Sequence, residues 1–337
     1  MAPPSSRGAI NHGFQLGFGM GIFAANIIYS GTQRRGEAWG SWIPFAVAIP
    51  PAFFLMLGAL LIPETPISLI QRDKNFHDTV ETLQKIRGTP DVLAELNDIM
   101  AAGSTPITFS QSLRTMIRRN YWPQLIMAAA IPFFQQVTGF SIVAIYTTSL
   151  VRNVGFRENS LLMSATLIGF TSSISTIVLM TVVDRIGRRV MFTVGGIQML
   201  VSLVTVIGSA MAAPLGRSCS YLVLLLFCIY LMGFGWSWGP LGWLVPSEVF
   251  QLEIRSAAQS IAAAAWFLFA LVIAETFPTT FCHLKVAMLF FFAICIVAMT
   301  VFVYLFLPET GGIPLARMDR VWREHWFWKK IVEVEAE

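Results

Sequence analysis

Eight stretches of this chain run nearly free of Asp, Glu, Lys and Arg for long enough to cross a bilayer, at about residues 9–30, 40–62, 121–151, 160–182, 189–213, 220–246, 256–279 and 285–307. A helix needs ~20 apolar residues to span the hydrocarbon core. A chain built this way has to satisfy its backbone polar groups internally, which leaves helices as the spanning element. Composition agrees: 55% of residues are hydrophobic and only 12% charged, against ~25% charged in soluble domains. The expected fold class is an all-α polytopic membrane protein with eight transmembrane helices.

Lys and Arg resist translocation, so their distribution sets orientation. With the N-terminus inside, seventeen basic residues fall on the inner side and six outside. An even number of spans then places both termini in the cytoplasm. The net charge of +4 does not signal nucleic-acid binding, because the aromatics lie inside the apolar runs and not beside an exposed basic patch. Cys219, Cys228, Cys282 and Cys295 form no Cys-x-x-Cys pair and lack a histidine at metal spacing, so neither a metal nor another cofactor is expected. An intramembrane hydrolase would need a paired nucleophile and base at depth. His12, His77, His283 and His325 all lie at span ends or in polar segments, and an enzyme is not expected.

Segment 63–120 is the one sizeable polar insertion. Phe76, Val80, Leu83 and Ile86 recur at helical spacing before Gly88-Thr89-Pro90 interrupts them, which predicts short amphipathic helices. The landmarks on either side suggest a repeat. Arg7 precedes the first span and Pro63-Glu64-Thr65 closes the second; Arg255 precedes the seventh and Pro308-Glu309-Thr310 closes the eighth. Residues 1–65 and 250–310 therefore read as copies of one two-helix unit, an arrangement common in transporters built by duplication. Four spans precede the second copy and none the first, so the expected ancestor has six helices plus six.

Polar groups at bilayer depth are costly and point to a site or a helix contact. Gln135-Gln136 sits near the middle of the third span, and two amides offer donors and acceptors suited to a neutral, hydroxyl-rich ligand. Gln15 and Asn26 add amides in the first span. Trp236, Trp238 and Trp243 flank Gly239-Pro240 in the sixth, where the proline permits a bend and an indole offers an apolar face with one N–H. Of the three, Trp243 is the expected ligand contact. Asp184, Arg185, Arg188 and Arg189 form a short inner turn whose charges can pair with Glu248, Glu253 or Arg255, a network able to hold one conformation and break in another.

In order and spacing these motifs resemble the sugar porter family of the major facilitator superfamily, and among its members the plant monosaccharide/proton symporters. The resemblance runs from Arg7-Gly8 and Gly13-Phe14-Gln15 through Gln135-Gln136-x-Thr138-Gly139, Asp184 to Arg189, Gly239 to Glu248 and Arg255 to Pro308-Glu309-Thr310. It implies an N-terminally truncated major facilitator fold in which this chain matches family helices five to twelve. Residues 1–62 would be a two-helix remnant of the N-terminal bundle, 63–120 a cytoplasmic helical linker, 121–310 the C-terminal six-helix bundle and 311–337 a cytoplasmic tail.

The same resemblance implies hexose transport by alternating access, with Gln15, Gln135, Gln136 and Trp243 on the sugar and the charged turn closing the inner side. Three family asparagines are replaced here, by Ser141, Ser172 and Trp266, of which Ser141 and Trp266 stand among the expected sugar contacts. Lost amides weaken hydroxyl recognition, each good hydrogen bond being worth ~0.5–1.5 kcal/mol net. The family's proton carrier is an aspartate on the first helix; no span here holds an aspartate, and Glu275 lies near an outer end. The expected partners are a glucose-like monosaccharide and the lipid bilayer of the plasma membrane, with a proton in the family's mode. The alternative is a non-transporting paralogue that binds sugar weakly or associates with another transporter chain.

Overall fold

The computed structural model describes residues 10, 12–33, 37–62, 69, 76–89, 92, 93, 96, 109–117, 121–140, 143, 147, 151, 160–183, 185–212, 217–250, 254–284, 286–310 and 318–332. Every regular element among them is helical: α1 (Gly13–Gln33), α2 (Glu37–Leu61), α3 (Phe76–Arg87), α4 (Phe109–Ile117), α5 (Trp122–Val137), α6 (Ser160–Val182), α7 (Arg188–Ala212), α8 (Arg217–Trp236), α9 (Trp238–Val249), α10 (Arg255–Leu284), α11 (Val286–Phe306), α12 (Met318–Glu324) and α13 (Lys329–Val332). Five helical segments are long and apolar enough to span a membrane, with α8 and α9 counted together as Cys219–Val249. Two of the remaining expected spans contribute the shorter apolar helices Gly13–Tyr29 and Phe45–Leu61. The third contributes α5; beyond it Thr138 and Gly139 are out of helix, and of the rest Phe140, Val143, Thr147 and Val151 are described, all helical.

One apolar core runs through α5 to α11, with Met127, Ile131, Phe192, Met199, Phe227, Tyr230, Trp238, Leu241, Phe292 and Met299 at its centre. The helices approach closely because small residues face one another. A Cβ on Gly196 would overlap the Thr300 hydroxyl, and one on Gly235 would lie 2.9 Å from Ser175 Cβ. The outer face of the bundle is equally apolar, with Ile197, Val201 and Val204 of α7 about half exposed. In water such a surface would aggregate; in a bilayer it is the solvated face.

α1 joins this bundle through α6, and α2 packs on α1. The α1–α6 seam is built on glycine: a Cβ on Gly19 would stand 3.0 Å from the Ser173 hydroxyl, and one on Gly169 would stand 3.1 Å from the backbone of Phe23. α2 leaves Phe45, Phe54 and Leu61 more than 70% exposed.

Two expected spans are broken where the sequence reading drew single helices. α5 ends at Thr138, and Gly139 takes φ +81°, a left-handed conformation that favours glycine. A Cβ there would also lie 2.8 Å from the Phe292 ring. The sixth span breaks at Ser237, with φ −124° and ψ −90°, between α8 and α9.

In the polar insertion α3 stops at Gly88, φ +69°, as the Gly-Thr-Pro signal predicts. Leu83 packs with Val80, Val92 and Leu96, whereas Ile86, expected on the same face, is 38% exposed. α4 packs on α10 and α5.

The tail is bolted to the end of α11. The last carbonyls of a helix lack intrahelical donors, and here the indoles of Trp326 and Trp328 donate to Leu305 and Phe306 at 3.2 and 2.7 Å. Burial, then the positive charge of Arg189, hold the His325 imidazole below its ordinary pKa, against a smaller opposing backbone hydrogen bond at Leu305. The unfolded chain therefore binds a proton more readily, and stability falls as pH drops below about 6.5 toward the folded-state value. Thermal midpoints of purified protein at pH 7.5 and 5.5 check this: His325→Phe is expected to lose less stability on acidification than the unaltered chain.

Candidate functional site

The break at Ser237 organises the mid-membrane polar groups. An uncoiled residue between two helices leaves backbone groups to be satisfied by neighbours. The Nε2 amide of Gln135, on α5, donates to the carbonyls of Trp238 and Gly239 at 2.7 and 2.8 Å. Gln135 is 4% exposed, so its donor end is spent on the first turn of α9. Gly242 makes this possible, since a Cβ there would overlap the Gln135 amide. Gln136, the next residue on α5, is half-buried.

The tryptophans on either side of the break divide by face. Trp238 is fully buried, and its indole donates to the Phe192 carbonyl at 3.1 Å. Trp236 donates to Gln198 Oε1 at 2.9 Å. Both are structural, which leaves Trp243, 45% exposed, as the indole available to a ligand. The structure brings it beside Trp266 of α10, with ring centroids 6.0 Å apart. Two expected contacts from different helices thus form one aromatic wall, on the helix that Gln135 anchors.

The inner charged turn forms a second constellation. Arg188 pairs with Glu248 through both ends of the guanidinium, Nη2 to Oε1 at 3.0 Å and Nε to Oε2 at 3.3 Å. Its third contact is Nη1 to the Val183 carbonyl at 2.6 Å. Such bidentate, charge-assisted geometry is the strong form of an ion pair. Thr310 donates to Glu248 Oε2 at 3.2 Å.

Glu309 completes the network in a way the sequence reading missed. Its carboxylate accepts the backbone N–H groups of Arg188 and Arg189 at 2.7 and 3.2 Å. These open α7, where unpaired N–H groups and the helix dipole favour an anion. Gly187 admits the carboxylate, because a Cβ there would overlap it. Arg189 reaches the other way, with its guanidinium 4.5 Å from the Tyr304 ring centroid and donating to the Tyr304 carbonyl. One cluster thus joins α7, α9 and the end of α11.

The remaining expected residues are dispersed. Gln15 is half-buried on α1, which meets the bundle at α6. Ser172 lies where α6 faces both Gly19 of α1 and Gly235 of α8. Asn26 donates to the Ile22 carbonyl of its own helix at 2.8 Å. Arg185 is exposed and Arg255 opens α10 half-buried. Ser141, Asp184 and Glu253, with Arg7 and Pro63-Glu64-Thr65, lie outside the described residues.

Residues 1–322 match the family model described as "Sugar (and other) transporter". A hexose carrier protein of Ricinus communis is 50% identical over 342 residues, covering 100% of this chain and 67% of that protein. Sugar transport protein 3 of Arabidopsis thaliana is 46% identical, covering 98% of this chain and 65% of its own length. The chain thus spans about two thirds of the length of these curated relatives. Among solved structures, the major facilitator proton:xylose symporter XylE bound to 6-bromo-6-deoxy-D-glucose superposes with a TM-score of 0.80 at 23% identity, covering 95% of this chain and 68% of that one. The inward-open form of XylE from E. coli gives 0.63 at 23% identity, over 91% and 64% of the two chains. The fold is the major facilitator fold.

Proposed function

We propose, for a chain that belongs to the family of sugar transporters, that it binds a glucose-like hexose between Gln136 and the Trp243–Trp266 wall and moves it across a membrane by alternating access. The observation that carries this reading is the grip of Gln135 on the first turn of α9. It fixes, around one break in the membrane interior, an amide on α5 and an indole on α9. Amides match sugar hydroxyls and indole faces match the apolar C–H faces of a pyranose. Ser141, Gln15 and Gln135 join the same proposed site.

Asp184, Arg185, Arg188, Arg189, Glu248 and Arg255 form the proposed inner closure. Its geometric centre is the Arg188–Glu248 pair, with Glu309 beneath the start of α7. All of it lies within the 121–310 bundle, so two bundles rocking about the sugar would carry this cluster as one piece toward and away from the inner face of the other bundle. We place both termini in the cytoplasm and the chain in the plasma membrane. The domain scheme is the one drawn from sequence: 1–62, 63–120, 121–310 and 311–337.

One solved structure of the same fold is described as a proton:xylose symporter. In this chain no expected span holds an aspartate, and Glu275 is exposed near the outer end of α10. No expected span thus offers an aspartate of the family's kind beside the proposed sugar contacts, so the proposed activity of the chain alone is equilibration of hexose without concentration. Uptake of radiolabelled glucose into liposomes holding the purified chain tests this. Saturable uptake that stops at equal concentrations, with or without a proton gradient, is expected. Gradient-driven accumulation would overturn the uncoupled reading, and no uptake would overturn transport.

A second reading has its own observation. Phe45, Phe54 and Leu61 of α2, each more than 70% exposed, suit cover by other membrane helices as well as by lipid, and the second reading is a sugar-binding chain that associates with another transporter chain. Cross-linking in native membranes separates it from the first reading.

A further inference from the structure

The break that carries the sugar site is held from two sides, and only one belongs to the site. On the far side, three consecutive residues rest on three successive turns of α7. Trp236 donates to Gln198 Oε1 at 2.9 Å, and Gln198 in turn donates its amide to the Ile229 carbonyl at 3.0 Å. Ser237 lies in a socket over Gly195, where a Cβ would overlap its side chain. Trp238 donates to the Phe192 carbonyl at 3.1 Å and meets the Phe192 ring edge-on at 4.6 Å.

Phe192, Gly195 and Gln198 are spaced three apart, so they follow one another along one side of α7. Each step of one residue through the break thus corresponds to one turn of α7. A helix with an interrupted hydrogen-bond ladder has a soft hinge there, and α9 beyond it is one short helix of 12 residues. Trp238 and Trp243 stand five residues apart on that helix, on roughly opposite faces. Whatever fixes Trp236 to Trp238 against α7 therefore fixes where Trp243 stands against Trp266.

We propose that Gly195 and Gln198 are positioning residues for the sugar site: they touch no sugar and set the direction of α9, and with it the Trp243–Trp266 wall. Gly195 acts by its missing side chain, which lets Ser237 close against α7. Gln198 acts by bridging the last turns of α8, joining the Trp236 indole to the Ile229 carbonyl. The inference takes its functional meaning from the hexose reading, but its geometric content stands apart from it.

The test uses the full chain labelled with 5-fluorotryptophan, with the fluorine resonance of Trp243 assigned by Trp243→Phe. Gly195→Ala is expected to shift that resonance and weaken glucose binding. Adding Ser237→Gly, which empties the socket from the other side, is expected to restore both. Gln198→Met keeps bulk while removing both hydrogen bonds, so it stands in if Gly195→Ala fails to fold; it too is expected to shift the Trp243 resonance.

A Trp243 resonance unmoved by these variants would overturn the proposal. So would a shift that the paired substitution does not reverse, because a general packing defect would not be cured by a complementary cavity. A separate outcome bears on the site itself. If glucose leaves the Trp243 resonance of the unaltered chain unchanged, the hexose assignment fails while the positioning result is still read from the variants.

Discussion

Replacing Arg188 with leucine is expected to cost about 3–5 kcal/mol of stability, the range found when one partner of a buried ion pair is removed. The side chains of Arg188 and Glu248 are only 6% and 16% exposed. Arg188→Leu leaves the Glu248 carboxylate buried with the Thr310 hydroxyl as its remaining described donor, and strips the Val183 carbonyl of its guanidinium. The expected loss comes from the stranded charge. That makes a clear statement about the double variant: Arg188→Leu with Glu248→Leu is expected to recover most of the loss, because no buried charge is left. Thermal unfolding of the four proteins in one detergent checks the cycle. A single variant within about 1 kcal/mol of the parent, as for an exposed pair, would mean the pair is solvated.

The second large effect comes from a methyl group. Gly187→Ala is expected to cost about 3 kcal/mol, two hydrogen bonds to a charged acceptor at roughly 1.5 kcal/mol each. The added Cβ occupies the space of the Glu309 carboxylate and pushes it off the Arg188 and Arg189 amides. The same substitution at the other end of α7 supplies the control. Gly208 has nothing within 4 Å of an added Cβ, and Gly208→Ala is expected to stabilise by up to ~1 kcal/mol through helix propensity alone. Opposite signs at the two ends of α7, read as unfolding midpoints, would establish the carboxylate cap. Equal signs would refute it.

These two residues also show what a sequence displays and what it conceals. The eight apolar runs, the inner basic bias and the polar insertion were legible because each is a local property of composition. The Gln135-Gln136 pair stood out for the same reason, being polar where polarity is costly. The partner of Arg188 was open between Glu248 and Glu253, since charge alone selects a sign and not a partner. Glu309 was read as a landmark of repetition, yet it caps a helix that begins 121 residues earlier. No spacing rule reaches that far.

Glycines were harder still. Gly139, Gly187, Gly195 and Gly242 each admit a specific neighbour, and that neighbour becomes visible only once helices remote in the chain are packed. Ser237 gave no signal that the sixth span would break there and not at the adjoining Gly239-Pro240. The proline loosens the helix, and the socket at Gly195 decides where the loosening is used. Gln198, a lone amide in an apolar helix, went unmarked in the sequence, whereas Asn26, which was marked, turns back on its own helix.

The most direct test of the sugar site is equilibrium binding of glucose to the purified chain in lipid nanodiscs, measured beside Gln136→Ala and Trp243→Ala. Saturable binding that weakens about tenfold in each variant is expected, the equivalent of ~1.4 kcal/mol, with Trp238→Phe affected mainly in stability. Binding of unchanged affinity in both Gln136→Ala and Trp243→Ala would contradict the account, because it would place the sugar away from the broken helix on which the assignment stands.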